Sequence, residues 1–266
     1  MVAVDFEYDG QFLSDFGFMI CNFDSSDMTT VSNGSTLTLN TVPINNGSQF
    51  LLTHSKYDEC ISSTFSICKN VCDYKHEDLE INVDENGSIM RWLNRKTFHK
   101  FKIVDDNYSD IYFESTFNIS RIVIGGKLLG YELQMLTNSP FGYKEPIEHS
   151  FTISSKDDLN IIIDSSNEIG FIYPEMEITI LQNGDLTITN EIENRHTVIT
   201  GCKSGEVLKL KYPVIESSIA SHDIMNCFNY RFFRIANTYT EKVNRIYFSL
   251  PCKVVLHYSP IRKVVI

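Results

Sequence analysis

The chain has 266 residues, of which 42% are hydrophobic and 21% are charged, so the composition predicts packed cores and excludes intrinsic disorder. Its net charge of −11 argues against tight, sequence-independent binding to the phosphates of nucleic acids. No apolar stretch approaches the roughly 20 residues of a membrane-spanning helix, so we expect no membrane insertion. The first twenty residues contain four acidic side chains and no lysine or arginine, which predicts that no secretory signal is present.

The excess of acidic residues lies entirely in the first third of the chain. Residues 1–85 contain 14 acidic and 3 basic residues, whereas residues 86–266 contain 20 of each. The simpler interpretation is a solvated acidic surface. The alternative is an electrostatic field that acts on a binding partner.

The opening segment FEYDGQFLSDFGFMI alternates aromatic and polar residues, and Asp9-Gly10 predicts a turn after the first strand. Period-two patterns rich in β-branched and aromatic residues predict further strands at 61–67, 79–83, 101–104, 111–124 and 128–136. Gly125-Gly126 separates the last two of these strands and predicts a hairpin.

Cys68, Cys72 and His76 follow one another at intervals of four, and Cys60 precedes Cys68 by eight residues. Zinc sites usually show closer cysteine pairs and a fourth ligand, so we assign Cys60 to a strand and the residues that follow to a loop between strands with buried thiols. The remaining histidines and acidic residues share no motif of a catalytic site. The sequence therefore predicts no enzymatic activity, no cofactor, and no catalytic, cofactor-binding or metal-binding residue.

One segment, NGSIMRWLNRKT, predicts a helix over about residues 88–97. Ser88 is expected to cap its first turn. Ile89, Trp92 and Leu93 lie at i, i+3 and i+4 and form a single apolar stripe. We expect Trp92, the only tryptophan, to anchor this helix in a core rather than to contact a ligand.

The Pro- and Gly-containing segment at 138–146 predicts a boundary between a domain at 1–140 and a domain at 141–266. Strands are predicted on its C-terminal side at HSFTI, NIII, EITIL, LTITN, VLKLKY, VNRIYFSL and CKVVLHY. The last of these strands can also pair with strands of the first domain.

The segment EITILQNGDLTITN leaves two hairpin registers open. A two-residue NG loop would place Ile180 opposite Thr187, whereas a three-residue QNG loop places Ile180 opposite Leu186. We prefer the second register because cross-strand partners share a face and because it puts Gly184 where a left-handed residue is needed. The resulting apolar face consists of Ile178, Ile180, Leu186 and Ile188. Sheets with one apolar and one polar face predict a β-sandwich.

The order of these motifs resembles the distal tail proteins (Dit) of phages with long, non-contractile tails, over nearly the full length. In the opening segment the matching residues are Gly10, Ser14, Asp15, Phe16 and Gly17. The middle stretch from Ile89 to Phe117 resembles the helix and following L-x-x-D-x-x-x-x-Y-Y pattern of the family. That pattern is filled here by Trp92-Leu93, Asp105 or Asp106, and Tyr112-Phe113.

The most specific part of the resemblance is the stretch from Asn167 to Leu210, which is similar to the C-terminal module of the family. The matching residues there are Asn167, Gly170, Tyr173-Pro174, Ile178, Asn190 and Gly205-Glu206. The ending VNRIYFSLPCKVVLHYSPIRKVVI matches the closing strands and basic terminus of these proteins.

The resemblance implies a mainly β fold, with an N-terminal tail-tube-like β-sandwich or barrel carrying one short helix and a C-terminal galectin-like β-sandwich. It implies a homohexameric ring that joins the tail tube to the tail-tip hub and serves as a platform for host-adhesion parts. The implied partners are further copies of the chain, the tail tube protein, the tail-tip hub protein and receptor-binding or baseplate proteins. DNA only passes through the lumen. The implied location is the tail tip of the virion, after assembly in the bacterial host cytoplasm.

A carbohydrate-binding β-sandwich adhesin is the alternative function. Residues 141–266 contain no tryptophan that could stack on a sugar ring, which disfavours it.

The cysteine content generates a first prediction. The seven cysteines are odd in number and sparse, and a phage structural protein assembles in a reducing cytoplasm, so all seven are expected to be thiols. Counting free thiols in denatured, unreduced protein that has been protected from air should give seven. A count of five or fewer would demonstrate a native disulfide.

Overall fold

Apolar and polar side chains alternate along much of the chain, and the computed structural model forms strands at most of these segments. It describes residues 4–21, 37–44, 48–74, 78–106 and 108–264. Their fold is mainly β, as the sequence predicts. The chain divides into two compact units, of which the first comprises Met1–Tyr143 with Lys263–Ile266 and the second Lys144–Arg262.

The described strands up to the boundary are β1 (Phe6–Tyr8), β2 (Gln11–Phe12), β3 (Phe18–Cys21), β4 (Leu37–Ile44), β5 (Gln49–Tyr57), β6 (Ser62–Lys69), β7 (His99–Ile103), β8 (Ile111–Ile124), β9 (Lys127–Thr137) and β10 (Gly142–Lys144). Helix α1 (Val83–Leu93) lies between β6 and β7. One antiparallel sheet has the order β2-β1-β7-β8-β9-β6-β3, and β10 pairs with β8. Strands β4 and β5 form a separate two-stranded sheet.

Both predicted two-residue turns of the first unit are confirmed. Asp9-Gly10 connects β1 to β2, and Gly125-Gly126 connects β8 to β9. Gly125 and Gly126 have φ angles of 60° and 82°, a left-handed pair that glycine adopts without strain and that matches the twist of a two-residue hairpin.

The predicted helix exists, but its predicted range of 88–97 is wrong, since α1 begins at Val83 and ends at Leu93. Its cap is Asn82, whose Oδ1 accepts the backbone N–H groups of Asp84 and Glu85 at 3.0 and 2.9 Å. The Glu85 carboxylate accepts the Asn82 N–H in return, which completes a capping box.

Ser88, the predicted cap, lies inside the helix and donates to the Asp84 carbonyl. The strand predicted at 79–83 is also wrong, because these residues lead into the helix. Lys69, which is only 4% exposed, donates to the Asp78 and Glu80 carbonyls at 3.0 and 2.9 Å. Its ammonium group also lies 2.8 Å from the Glu85 carboxylate. These bonds satisfy backbone groups that a strand would have used.

The apolar stripe of α1 packs as predicted, and Trp92 is a core anchor. Ile89, Trp92 and Leu93 are buried. The indole stacks on Phe6 with ring centroids 5.7 Å apart and on Phe16 at 4.5 Å. Its Nε1–H donates to the Tyr8 carbonyl at 3.0 Å, so the helix is tied directly to β1.

The second unit contains β11 (Ile147–Ile153), β12 (Asn160–Ile163), β13 (Gly170–Ile172), β14 (Glu175–Ile180), β15 (Gly184–Asn190), β16 (Arg195–Cys202), β17 (Val207–Lys211), β18 (Val214–Ser217), β19 (Ile235–Asn237), β20 (Val243–Phe248), β21 (Cys252–Tyr258) and β22 (Ile261–Arg262). A short helix, α2 (Ile224–Cys227), was not predicted. Two of its sheets have the orders β11-β21-β14-β17-β18 and β12-β20-β15-β16, and β13 pairs with β19. Buried side chains of the two larger sheets form one core, as in a sandwich.

The predicted hairpin of β14 and β15 is wrong in both registers, because the two strands belong to different sheets. Strand β14 pairs with β17 and β21, whereas β15 pairs with β16 and β20. The QNG segment therefore crosses from one sheet to the other. All four residues of the predicted apolar face are fully buried, but in the core that both sheets share: Ile178, Ile180, Leu186 and Ile188.

Gly184 is needed for two reasons at this crossing. Its φ of 154° is unfavourable for other residues. A Cβ atom there would also lie 2.9 Å from a methyl group of Leu250.

A buried hydrogen-bonded cluster around Glu206, the residue before β17, connects β16 and β18 of the second unit. The Glu206 side chain is fully buried, and its Oε1 lies 2.5 Å from both the Ser217 hydroxyl and His222 Nδ1. Its Oε2 accepts the Lys203 N–H at 2.9 Å. His222 Nε2 lies 2.8 Å from the Thr200 carbonyl. Both ring nitrogens of His222 thus lie within hydrogen-bond distance of an oxygen atom.

This cluster generates a prediction on pH dependence. Burial raises the pKa of Glu206, but hydrogen bonds from Ser217, His222 and the Lys203 N–H outweigh burial and leave the pKa below its usual value of 4.5. A lowered folded-state pKa gives stability that is present above the unfolded pKa and is lost as pH falls through the folded one. The Glu206→Gln variant should therefore have a lower free energy of unfolding at pH 7, by about 3 kcal/mol, with the difference shrinking below about pH 4.5.

Urea unfolding at several pH values measures this difference. The matched control is Glu177→Gln, because Glu177 is exposed and lies 3.5 Å from Lys209 across the sheet. Its effect should stay below about 1 kcal/mol. A pH-independent difference for Glu206→Gln would show that the carboxylate charge is not the stabilising feature.

Candidate assembly surface

Within the described ranges, no group of three or more His, Cys, Asp or Glu side chains is arranged to hold a metal ion. His76 lies outside the described residues. All seven cysteines are free. The interpretation as buried loop thiols is wrong, since Cys60 and Cys72 are exposed and Cys68 is partly buried on β6. The Cys68 thiol, on β6, is hydrogen-bonded to the Cys21 thiol on β3.

No helix in the described part of the chain combines the length and the hydropathy needed to cross a membrane.

The β4–β5 hairpin of the first unit exposes many large apolar side chains. Its strands were not among those predicted from the sequence. Its two strands pair with each other from Leu37–Tyr57 to Ile44–Gln49. Seven large apolar side chains of the hairpin are between 41% and 66% exposed: Leu37, Leu39, Val42, Ile44, Phe50, Leu51 and Leu52. A two-stranded hairpin is marginally stable alone, and contiguous exposed apolar surface usually marks an interaction site.

Apolar side chains occupy both faces of this hairpin. Alternate residues of a strand point to opposite faces, so Leu37 and Leu39 share one face while Val42 and Ile44 share the other. The partner strand follows the same division, since Val42 lies opposite Leu51. The hairpin therefore cannot bury all of its apolar residues against a single core.

The hairpin also contains no acidic residue, although it lies in the acidic third of the chain. Residues 37–57 include no aspartate or glutamate, and their one lysine or arginine is Lys56. The Lys56 ammonium lies 2.6 Å from the carboxylate of Asp58, just beyond the end of β5. All 14 acidic residues of the region 1–85 thus lie outside the hairpin.

Two family models match the chain. The model described as phage tail protein N-terminal domain matches residues 1–139, and the model described as phage tail C-terminal domain matches residues 141–258. The chain belongs to this family of phage tail proteins. It is therefore a structural component of a phage tail and is located in the virion tail.

Among solved structures, the chain is similar to the crystal structure of SPP1 Dit (gp 19.1), titled a paradigm of hub adsorption apparatus in Gram-positive infecting phages. The TM-score is 0.66 at 11% sequence identity, and the match covers 96% of this chain and 98% of that one. At this identity the likeness shows the fold. No curated protein matches the chain. The resemblance to distal tail proteins that the sequence motifs indicate is confirmed.

The exposure of the hairpin generates a prediction on stability. Phe50 is 66% exposed, whereas Phe117 in the core of the same unit is 3% exposed. The Phe50→Ala variant should change the free energy of unfolding of the dilute, unassembled protein by less than about 0.5 kcal/mol. The Phe117→Ala variant should cost about 3–5 kcal/mol. Chemical denaturation compares the two, and a large cost for Phe50→Ala would mean that the hairpin is already buried in the monomer.

Proposed function

We propose that this phage tail protein closes into a homohexameric ring and that the β4–β5 hairpin supplies the contact between neighbouring copies. The observation that carries the proposal is the exposed apolar surface on both faces of this hairpin, which lies in the acidic third of the chain. The number six comes from the resemblance to distal tail proteins. A hairpin of one copy that docks on a different surface of the next makes a heterologous contact, and such contacts close into rings when the rotation permits.

The energetics favour assembly as the place where these side chains become buried. Removing apolar surface from water contributes about 25 cal/mol per Å², so burying the exposed half of a leucine contributes on the order of 1 kcal/mol. Seven such side chains lie on each copy, and a closed ring repeats the contact at every interface. Stable interfaces bury roughly 1,200 Å² or more of accessible surface. A hairpin with two apolar faces offers more area for burial than a hairpin with one.

The edges of the hairpin add a second, directional component. Strands β4 and β5 pair with each other, and among the described strands neither pairs with another. With respect to the described strands, each therefore has one edge that is not part of a ladder. Natural proteins protect such edges or use them to add a strand from a partner. Docking through an edge would fix the register between copies.

We further propose that the ring sits at the tail tip, joins the tail tube protein to the tail-tip hub protein, and carries receptor-binding or baseplate proteins. The solved relative is titled as part of a hub adsorption apparatus, and the shared fold supports a similar place for this chain. Assembly takes place in the bacterial host cytoplasm. The protein contributes contact area rather than chemistry, so its role is not enzymatic.

The charge of the first third fits passage of DNA through the lumen. We propose that part of the acidic excess of residues 1–85 lines the inner wall of the ring. A negative wall repels a polyanion over a screening length of about 8–10 Å at physiological salt, so DNA passes without binding. A structure of the assembled ring with a neutral or basic inner wall would contradict this part of the proposal.

The ring prediction is tested on the purified full chain and on particles. Native mass spectrometry and sedimentation over a range of concentrations should detect a hexamer. Placing charge on both faces, in the double variant Leu39→Asp with Val42→Asp, should abolish the hexamer while the monomer stays folded. Desolvating two carboxylates in an apolar contact costs several kcal/mol.

The matched control is Ile163→Asp, because Ile163 is 64% exposed and lies on β12 of the second unit. It should leave the hexamer intact. Imaging of native particles completes the test. Hexamers that persist in the hairpin double variant would remove the hairpin from the interface, and absence of the protein from tail tips would refute the function itself.

A further inference from the structure

Six aromatic rings of the second unit form an unbroken series of contacts, here called the aromatic strip. Its members are Phe171, Tyr173, Tyr212, Phe232, Phe228 and Tyr230. Successive ring centroids are 5.4, 4.2, 5.4, 4.9 and 5.6 Å apart. The rings come from β13 and the residue after it, from the end of β17, and from the segment that follows α2. Three distant parts of the sequence therefore build one surface.

The strip contains exposed rings and buried rings. Phe171, Tyr212 and Tyr230 are 49%, 55% and 61% exposed, whereas Phe228 and Phe232 are 4% and 8% exposed and belong to the sandwich core. Tyr212 and Tyr230 each contact one of the buried rings. A ligand that binds them loses little side-chain entropy in the protein, because the rings are already positioned.

Tyr212 is both stacked and exposed. Tyr173 lies parallel to it, with an interplanar angle of 9° and a centroid distance of 4.2 Å. One face of Tyr212 is therefore covered, while the residue as a whole stays 55% exposed. Phe171 is arranged similarly, since the Arg234 guanidinium lies over its ring at 3.8 Å.

A fixed polar pair borders the strip at the Phe171 end. Arg234 donates Nε–H to Glu193 at 2.7 Å and Nη2–H at 2.5 Å, which is a bidentate contact. A guanidinium has five N–H donors, so Glu193 uses two of them. Aromatic surface beside a few fixed polar groups is the usual composition of a ligand site.

Arginines flank the strip, although Glu193 pairs with one of them, Arg234. Residues 225–234 contain Arg231 and Arg234 and no acidic residue. Arg195 adds a third guanidinium, whose Nε–H donates to the Phe232 carbonyl at 3.1 Å. A ligand that fits this surface should carry negative charge.

We propose that the aromatic strip is a binding site for an acidic polysaccharide. Pyranose rings have a C–H face that stacks on an open aromatic face, and they carry hydroxyl and carboxylate groups that guanidinium groups bind. A row of rings suits a chain of sugar units better than a single one. The site does not depend on ring formation through the hairpin. Residues 141–266 contain no tryptophan, which disfavoured sugar binding. In the strip, tyrosine and phenylalanine provide the stacking surface instead.

The test begins with the full-length protein on an array of acidic and neutral bacterial surface glycans. The acidic glycan with the strongest signal then serves as the probe in affinity electrophoresis. The double variant Tyr212→Ala with Tyr230→Ala should weaken its binding by roughly tenfold or more, which corresponds to about 1.4 kcal/mol. Tyr239→Ala is the matched control, because Tyr239 is 91% exposed and lies outside the strip, and it should bind as the unaltered protein does.

The outcomes separate this proposal from the proposed ring. The hairpin double variant should keep its glycan binding per chain even where it forms no hexamer. Urea unfolding of the tyrosine double variant confirms that the second unit stays folded. The proposal is overturned if no acidic glycan binds, if the tyrosine double variant binds as strongly as the control, or if neutral glycans bind equally well. Retention of another tail protein by the strip, without any glycan binding, would also overturn it.

Discussion

The contact of Trp92 with the first strand is the interaction on which the first unit depends. Its indole stacks on Phe6 and Phe16 and donates a hydrogen bond to the Tyr8 carbonyl, so one side chain joins α1, β1 and the turn after β2. The hydrogen bond joins two residues that are 84 positions apart in the sequence. The core around this contact includes no residue of the β4–β5 hairpin among the described residues.

The two units expose apolar surface in different ways, and the difference corresponds to different partners. In the hairpin, seven aliphatic and aromatic side chains lie on both faces of a thin sheet, which suits burial in a protein interface. In the second unit, exposed rings such as Tyr212 rest on buried ones beside arginine, which suits a ligand that stacks and forms hydrogen bonds. In the two proposals, assembly and recognition therefore lie in separate parts of one chain.

Much of the fold was predictable from the sequence, because strand periodicity depends on local burial. The predicted ranges 111–124, 160–163 and 252–258 coincide with β8, β12 and β21. The partner of β14 was not predictable in the same way, since alternation indicates which residues face a core but not which strand lies alongside. The start of α1 was predictable from Asn82 and Glu85, which have the spacing of a capping box. Ser88 was preferred as the cap because it directly precedes the apolar stripe. The hairpin shows apolar alternation too, but alternation does not tell whether such side chains are buried within one copy or exposed on its surface.

The second unit begins at Lys144 and ends at Arg262, and the first unit resumes at Lys263. The Lys144 N–H donates to the Pro260 carbonyl at 2.9 Å, so the two ends of the second unit lie side by side. Val264 then packs against the core of the first unit. A segment whose ends meet can be replaced by another without stretching the chain that carries it. Two exchanges in the gene, one before the codon of Lys144 and one after that of Arg262, would therefore replace the whole second unit and leave both segments of the first unit unaltered.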